Sequence, residues 1–196
     1  DSTLTEEDLK EIRKKLIADG YTLRMCDHEE YCRAEAEILK EKGFTGEQIS
    51  HAQKFAAEHA LTETDRATYQ AMEAFIHNLN TMNSRAGAQT PFSSINYGMD
   101  TSPEGRMVMK NVLLANEAGL GNGETPIFPI QIFRVKEGIN YNPGEPNYDL
   151  FQLACRVSAK RLFPNFSFVD APFNLKYYKG TPETEIAYMG CRTRVI

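Results

Sequence analysis

Residues 92–135 read FSSINYGMDTSPEGRMVMKNVLLANEAGLGNGETPIFPIQIFRV, and this stretch decides the fold class. Short apolar runs at Phe92–Tyr97 and Ile127–Val135 are typical of β-strands. The residues between them, Pro103–Ala118, predict a helix, because Ser102 can cap its first turn and the proline that follows suits the first helical position. A strand, a helix and a second strand in this order predict an α/β layer or part of a barrel.

The rest of the chain divides into a helical and a mixed region. A second helix is predicted near Tyr148–Leu162, with further strands at Phe166–Val169 and Glu185–Met189. The residues before Asn83 are charged and Ala-rich, with apolar residues at helical spacing, which predicts a set of helices. Pro129 falls inside a predicted strand and therefore indicates a bulge or an edge position.

Composition and charge exclude several classes of protein. The chain has 196 residues, of which 41% are hydrophobic and 25% charged, so it is long enough to bury a sizeable core. The formal net charge of -5 argues against a protein that binds nucleic-acid backbones, whereas small anionic ligands are compatible with it. No apolar run is long enough to span a membrane and no signal peptide is recognisable, so we expect a cytoplasmic protein.

A polar segment after the helical region could bind a ligand. It runs from Ser84 through Arg85 and Gly87 to Gln89, and it combines a hydroxyl, a guanidinium, a flexible backbone and an amide. This mixture suits an anion or a sugar, because glycine lets backbone amides approach a ligand and arginine can grip a phosphate. The alternative, which these residues alone favour slightly, is an ordinary loop after a helix.

The predicted strand that follows is also polar. Ser93, Ser94 and Asn96 lie on both of its faces, because successive residues of a strand point in opposite directions. Either these side chains satisfy buried neighbours, or they line a pocket for a ribose or a triphosphate. The Gly-rich stretch 119–126 matches neither the P-loop nor the dinucleotide fingerprint, and we interpret it as a tight, close-packed turn.

Four cysteines are present, and none has the paired spacing of a zinc or thioredoxin-type site. Cys191 follows a predicted strand and lies near two arginines, which would lower its pKa and favour thiolate chemistry. Spacing and chemistry alone favour a packed, inert Cys191. All four histidines lie in the helical part, which argues against a Cys-His protease. Cys155, in a predicted helix, is expected in the core.

The sequence strongly resembles the class III, or anaerobic, ribonucleotide reductases, the glycyl-radical branch of that family, and we interpret it as an internal fragment of the large catalytic subunit. The resemblance is carried by an ordered series of segments: Ser84–Gln89, Pro91–Asn96, Thr101–Arg106, Gly119–Pro129, Arg161–Phe166 and Met189–Arg192. The helical part resembles the family more loosely, chiefly near Tyr69–Asn80.

The resemblance implies a ten-stranded α/β barrel of the glycyl-radical enzyme type. Residues 84–196 would supply part of the barrel, ending at the catalytic-cysteine loop, and residues 1–83 a helical region on the dimer and effector side. Cys191 would be the site of a thiyl radical that removes the 3'-hydrogen of a ribonucleoside triphosphate. The substrate-binding residues expected by this resemblance are Ser84, Arg85, Gly87, Gln89, Ser93, Ser94 and Asn96.

The same resemblance implies cofactors and partners. The whole enzyme is expected to use a glycyl radical and a structural zinc, with a separate iron-sulfur activase that uses S-adenosylmethionine, and no cofactor is expected on these residues. Expected partners are ribonucleoside triphosphates, deoxynucleotide and ATP effectors, the activase and a second copy in a homodimer, but neither nucleic acid nor a membrane. The radical glycine, the zinc cysteines, the ATP-cone domain and the second active-site cysteine are expected outside this chain.

Two other functions stay open on this evidence. One is another glycyl-radical enzyme, such as a formate-lyase relative, which would share the barrel and the loop cysteine. The other is a noncatalytic module for nucleotide binding or dimerisation, which the missing radical machinery and the helical first part would suit.

Overall fold

The computed structural model of the chain describes residues 4–82, 89–190 and 193–195. The chain forms two compact units, residues 1–64 and residues 65–196. The boundary between these units falls within one long helix. None of the described helices combines the length and the apolar composition needed to cross a bilayer.

The first unit is helical, as the sequence predicts. It contains α1 (Glu6–Ala18), α2 (Glu29–Glu41) and the first part of α3 (Gly46–Thr81). Helix α1 begins with a capping box, in which the Thr5 hydroxyl accepts from the Asp8 N–H and the Asp8 carboxylate accepts from the Thr5 N–H. The apolar faces of the helices meet in one core, formed by Ile12, Leu16, Tyr31, Leu39 and Ile49.

The second unit contains strands and helices in alternation. Its elements are β1 (Ser94–Tyr97), α4 (Pro103–Ala118), β2 (Ile130–Val135), α5 (Tyr148–Arg161), β3 (Asn165–Phe168), α6 (Pro172–Leu175), the 3-10 turn Pro182–Thr184, β4 (Ala187–Met189) and β5 (Thr193–Val195). Strands β1, β2 and β3 form a parallel sheet in that order, and β4 pairs with β5 in an antiparallel hairpin. The structure therefore confirms a mixed α/β region with a parallel sheet.

Local signals predict the bounds of α4, α5 and strands β1 to β4 to within three residues, but they do not predict α6. Helix α4 has the predicted bounds, and the Ser102 hydroxyl accepts from the Gly105 N–H at 3.0 Å. The prediction that Pro129 lies within a strand, at a bulge or an edge, is wrong. Strand β2 is the central strand of the sheet and begins only at Ile130, whose N–H donates to Ser93 O at 2.9 Å. Proline has no N–H to donate, so pairing starts one residue later.

The two faces of the parallel sheet differ in chemistry. Tyr97, Phe133 and Phe166 are neighbours in register, and their rings contact one another on one face. Helices α4 and α5 pack on this aromatic face, where Leu113 and Val157 are fully buried. The residues that alternate with these rings therefore point to the opposite face. That face carries Ser94, Asn96, Ile132, Arg134, Asn165 and Ser167, and we call it the polar face.

The Gly-rich stretch forms the tight turn expected of it. The Leu120 N–H donates to Glu124 O at 2.9 Å, which closes the turn after α4. The guanidinium of Arg161 then donates to three backbone carbonyls, those of Glu117, Ala118 and Gly123, at 2.9, 2.9 and 2.6 Å. One side chain from the end of α5 thus holds together the end of α4 and the turn that follows it.

Candidate functional site

The polar face carries the described residues that the sequence marks as a candidate site. Ser94 and Asn96 lie two residues apart on β1 and point to this face together. Strand β4, which precedes Cys191 in the chain, lies against them. The site is therefore built from one strand of the parallel sheet and from a strand more than ninety residues later in the chain.

Asn96 pairs with the backbone of Tyr188 through both ends of its carboxamide. Its Nδ2 donates to Tyr188 O at 2.7 Å, and its Oδ1 accepts from Tyr188 N–H at 3.0 Å. The side chain thus makes the two bonds that a neighbouring strand would make, and β4 pairs with β5 as well.

Ser94 makes a third bond to the same segment. Its Oγ accepts from the Gly190 N–H at 3.1 Å. Gly190 has φ +61, and a Cβ at this position would lie 3.3 Å from Cε1 of the Phe92 ring. This position favours glycine, because the left-handed conformation disfavours a side chain and the Phe92 ring leaves little room for one.

We call the three bonds from Ser94 and Asn96 to Tyr188 and Gly190 the clamp. A cavity of about 630 Å³ opens next to it. It is lined by β3, by α6 and by Tyr188, and no residue in its lining carries a formal charge. The Tyr188 hydroxyl donates to Asn174 Oδ1 at 3.3 Å, and Asn174 Nδ2 donates to Phe168 O at 2.7 Å. The Ser167 hydroxyl is buried beside the cavity and has no hydrogen-bond partner in the described part of the chain.

A charged cluster holds the segment that leads into β4. Glu185 accepts from Arg134 Nη2 at 2.5 Å and from Lys136 Nζ at 2.6 Å. The Glu185 side chain is only 11% exposed, so this carboxylate is largely shielded from water. The hydrogen bond from Lys136 to Glu185 raises the pKa of the Lys136 ammonium, against the effect of its partial burial. The cluster therefore anchors the start of the hairpin to β2.

The structure accounts for the predicted site residues unevenly. Ser84, Arg85, Gly87 and the predicted catalytic residue Cys191 lie outside the described residues. Gln89 is exposed.

Three predicted site residues lie on or beside β1. The Ser93 hydroxyl donates to Pro91 O at 3.4 Å. Ser94 and Asn96 bond to the strand that precedes Cys191, which favours the first of the two alternatives for this segment, the satisfaction of buried neighbours. Their role in substrate binding stays a prediction.

The prediction that Cys155 lies in the core is wrong, since its side chain is exposed. Helix α5 buries Leu150, Ala154 and Val157, which follow the three- and four-residue spacing of one helical face. Cys155 is one position beyond Ala154 and so lies about 100° away around the helix. The residue type predicted burial, but the position of Cys155 around the helix axis places it outside the buried face of α5.

Sequence reasoning missed several residues that the structure brings to the site. Glu185, Ser167 and Tyr188 carry no recognisable signal in the sequence, because a buried ion pair, an unpartnered hydroxyl and a backbone contact leave no local motif. The polar alternation of Ser94 and Asn96 is the signal in the sequence for this face of β1. It indicated that one face of β1 meets polar partners without showing which partners they are.

The described residues do not fit a metal site. Within residues 4–82, 89–190 and 193–195, no group of three or more His, Cys, Asp or Glu side chains is placed to hold a metal ion. The structural zinc that the resemblance implies for the whole enzyme therefore has no ligand set among these described residues.

Comparison with known proteins identifies the family. A family model for the anaerobic ribonucleoside-triphosphate reductases matches residues 29–196. The anaerobic ribonucleoside-triphosphate reductase of Enterobacteria phage T4 is 37% identical over 139 residues, which are 70% of this chain and 22% of that protein. The Salmonella typhimurium protein of the same name is 34% identical over 136 residues, which are 69% of this chain and 18% of that protein. The Haemophilus influenzae protein of the same name is 31% identical over 150 residues, which are 74% of this chain and 20% of that protein.

The chain thus spans about a fifth of the length of these relatives. The family match covers both the polar strand β1 and the segment that follows β4, which are the two parts of the candidate site. On this evidence the chain belongs to the anaerobic ribonucleoside-triphosphate reductase family.

Proposed function

We propose that this chain forms part of the catalytic region of an enzyme that reduces ribonucleoside triphosphates to deoxyribonucleoside triphosphates, with Cys191 as the hydrogen-abstracting thiol. The observation that carries the proposal is the clamp on β4, because Tyr188 and Gly190 are held to the sheet by three hydrogen bonds immediately before this cysteine. A hydrogen transfer between a sulfur and a ribose carbon depends on close, fixed geometry.

The proposed chemistry uses the thiol of Cys191 twice. In each turnover the Cys191 thiol would give its hydrogen atom to a glycyl radical on a segment outside this chain and so become a thiyl. The Cys191 thiyl then removes the 3'-hydrogen of the ribose, and the 2'-hydroxyl leaves as water after it is protonated. Two electrons and two protons, drawn from formate or a pair of thiols, would reduce the dehydrated sugar radical to a 3'-carbon radical. Cys191 would then return its hydrogen to the 3'-carbon, and the thiyl that remains would take a hydrogen atom from the glycine, which restores the glycyl radical. Exclusion of water protects these radicals.

We propose that the substrate is bound by the polar segments before and within β1. Arg85 is suited to a phosphate group, because its fork-shaped guanidinium can donate two parallel bonds. Ser84, Gly87, Gln89 and Ser93 would contribute hydroxyl, backbone and amide groups to the triphosphate or the ribose. Ser94 and Asn96 were expected to share this role, but their described bonds to β4 support a contribution through the position of that strand.

The wider architecture is also a proposal. We infer that the three parallel strands belong to a ten-stranded barrel of the glycyl-radical type, which the family match and the parallel order of the strands support. In the whole protein, residues 84–196 would form part of this barrel, and the helices of residues 1–83 would lie on the side of the dimer and the effector site. A glycyl radical, a zinc site, an activase, nucleotide effectors and a second subunit would complete the enzyme.

The proposal is tested by replacing the thiol in the natural full-length polypeptide. Cys191→Ala should abolish formation of deoxyribonucleotides from ribonucleoside triphosphates, because no thiol remains to abstract the 3'-hydrogen. The glycyl radical should still be installed, as measured by electron paramagnetic resonance. Cys155→Ala is the matched control, since it removes an exposed thiol from α5 and should leave turnover unchanged. Deoxyribonucleotide formation by the Cys191→Ala variant would refute the proposed role.

A further inference from the structure

We infer that Ser94 and Asn96 are positioning residues, whose side chains hold β4 so that the Cys191 thiol is presented in one fixed place. This inference rests on the proposed function, because it assigns the two side chains a task in the reaction of Cys191. It differs from the substrate-binding role that the sequence suggested for them.

The geometry matches two side chains on β1 to two residues at the end of β4. Ser94 and Asn96 are separated by one residue, and so are Tyr188 and Gly190, so both pairs repeat with the two-residue period of a strand. Each side chain lies opposite the backbone group it binds, at 2.7 to 3.1 Å. Two successive anchor points fix both the position and the direction of the backbone.

The carboxamide of Asn96 is chemically suited to this task. Tyr188 presents one donor and one acceptor, and only a group with an acceptor and a donor on the same carbon can satisfy both. Aspartate would keep the acceptor but lose the donor, and its charge would face the Tyr188 carbonyl oxygen. Alanine would leave both backbone groups of Tyr188 without this partner, in a half-buried place where unpaired polar groups are costly.

The anchor lies one residue before the thiol along the chain. Ser94 binds the amide of Gly190, and Gly190 is joined directly to Cys191 by a peptide bond. Any rotation of this glycine would swing the residue that follows. The bond to Ser94 limits that rotation.

A second asparagine in the same compact unit provides a matched control. Asn80, near the end of α3, accepts from the N–H groups of Ile127 and Phe128 at 2.8 and 3.0 Å and donates to Phe128 O at 2.6 Å. It therefore also ties a distant backbone segment through one carboxamide. That segment precedes β2, so loss of the Asn80 bonds should affect stability without removing any of the three bonds that Ser94 and Asn96 make to Tyr188 and Gly190.

The test uses four variants of the full-length polypeptide: Asn96→Ala, Ser94→Ala, Ser94→Thr and Asn80→Ala. Amide hydrogen exchange at Tyr188 and Gly190 reports whether the clamp exists. Loss of the two Asn96 bonds should raise exchange at Tyr188 about thirtyfold, and loss of the single Ser94 bond should raise exchange at Gly190 about fivefold. Ser94→Thr keeps the hydroxyl and should restore protection, and Asn80→Ala should leave both amides protected.

The second readout separates positioning from a structural role. Asn96→Ala and Ser94→Ala should lower kcat by roughly tenfold to a hundredfold with little change in KM, because a displaced thiol slows hydrogen transfer more than it weakens substrate binding. The glycyl radical should form normally. Ser94→Thr should recover kcat, and Asn80→Ala should lower it far less than Asn96→Ala.

Each outcome decides one point. Unchanged exchange at Tyr188 and Gly190 in the alanine variants would overturn the clamp itself. Faster exchange with kcat no lower than that of Asn80→Ala would overturn the positioning role. If Cys191→Ala still reduced ribonucleotides, the proposed function would fail, while the exchange data would still decide whether the clamp is present. Ser94→Ala removes only one bond, so it tests the inference even if Asn96→Ala does not fold.

Discussion

Three glycines in the turn after α4 allow the cost of a side chain to be dissected into backbone strain and steric clash. Gly119 has φ +83 and ψ -168, a conformation that is essentially restricted to glycine. A Cβ on Gly119 would lie 2.6 Å from Glu124 O and 2.8 Å from Nη2 of Arg161. Gly123 also has φ +83 but open space around it, and Gly121 has neither a positive φ nor a close neighbour. Alanine therefore imposes both strain and clash at Gly119, strain alone at Gly123 and neither penalty at Gly121.

The expected magnitudes follow from these differences. Gly121→Ala should change local stability by at most about 0.5 kcal/mol, as exposed substitutions do. Gly123→Ala should cost about 1–2 kcal/mol, the penalty for a side chain in a left-handed conformation. Gly119→Ala should cost about 3–5 kcal/mol, because about 1–3 kcal/mol of strain adds to the displacement of Arg161 from its backbone acceptors, at about 1 kcal/mol for each bond lost.

The assay is native-state amide hydrogen exchange of the full-length polypeptide at Leu120, whose N–H closes the turn. A cost of about 3–5 kcal/mol corresponds to an increase in exchange of more than about a hundredfold, whereas Gly121→Ala should leave the rate nearly unchanged. The order of effects, with Gly119 largest and Gly121 smallest, is the essential result. If Gly119→Ala and Gly121→Ala exchanged at the same rate, the close packing of this turn against Arg161 would be refuted.

Two further predictions concern charged groups. Glu185→Gln should destabilise the attachment of β4 by about 3–5 kcal/mol, because the largely buried Arg134 and Lys136 lose their counter-charge. Glu117→Gln breaks a more exposed ion pair, with Arg156, and should cost at most about 1 kcal/mol. Amide exchange in β4 measures the first effect and amide exchange in α4 the second, and equal effects would contradict the argument from burial. The hydrogen bond from the Asn111 amide holds the pKa of Asp65 below its ordinary value of 3.8. The free energy that the ionised Asp65 contributes to the folded state is therefore fully present above pH 3.8, and it is lost as the pH falls through the lower pKa of the folded state. Exchange of α4 amides should show this acid-side loss in the natural protein but not in Asp65→Asn, and the same pH dependence in both would refute the assignment.

Much of the secondary structure follows from short-range chemistry and was therefore predictable. The bounds of α4 are set by the cap at Ser102 and by the glycine that follows Ala118, and both act within a few residues. The strands were found through apolar runs and their flanking turn residues. Pro129 shows the limit of this reasoning, because its effect depended on where pairing with β1 begins, and pairing is a contact between separate segments.

The sequence by itself determined the family, the order of helices and strands, and the residue types that could carry radical chemistry, because each of these is written in local pattern or in an ordered series of motifs. Only the tertiary structure decided which groups meet. Asn96 and Tyr188 are 92 positions apart, and Arg161 binds the carbonyl of Gly123, 38 residues earlier in the Gly-rich turn. The exposure of Cys155 likewise depended on which face of α5 packs against the sheet. Such contacts form only when distant segments are packed together, so no local propensity encodes them.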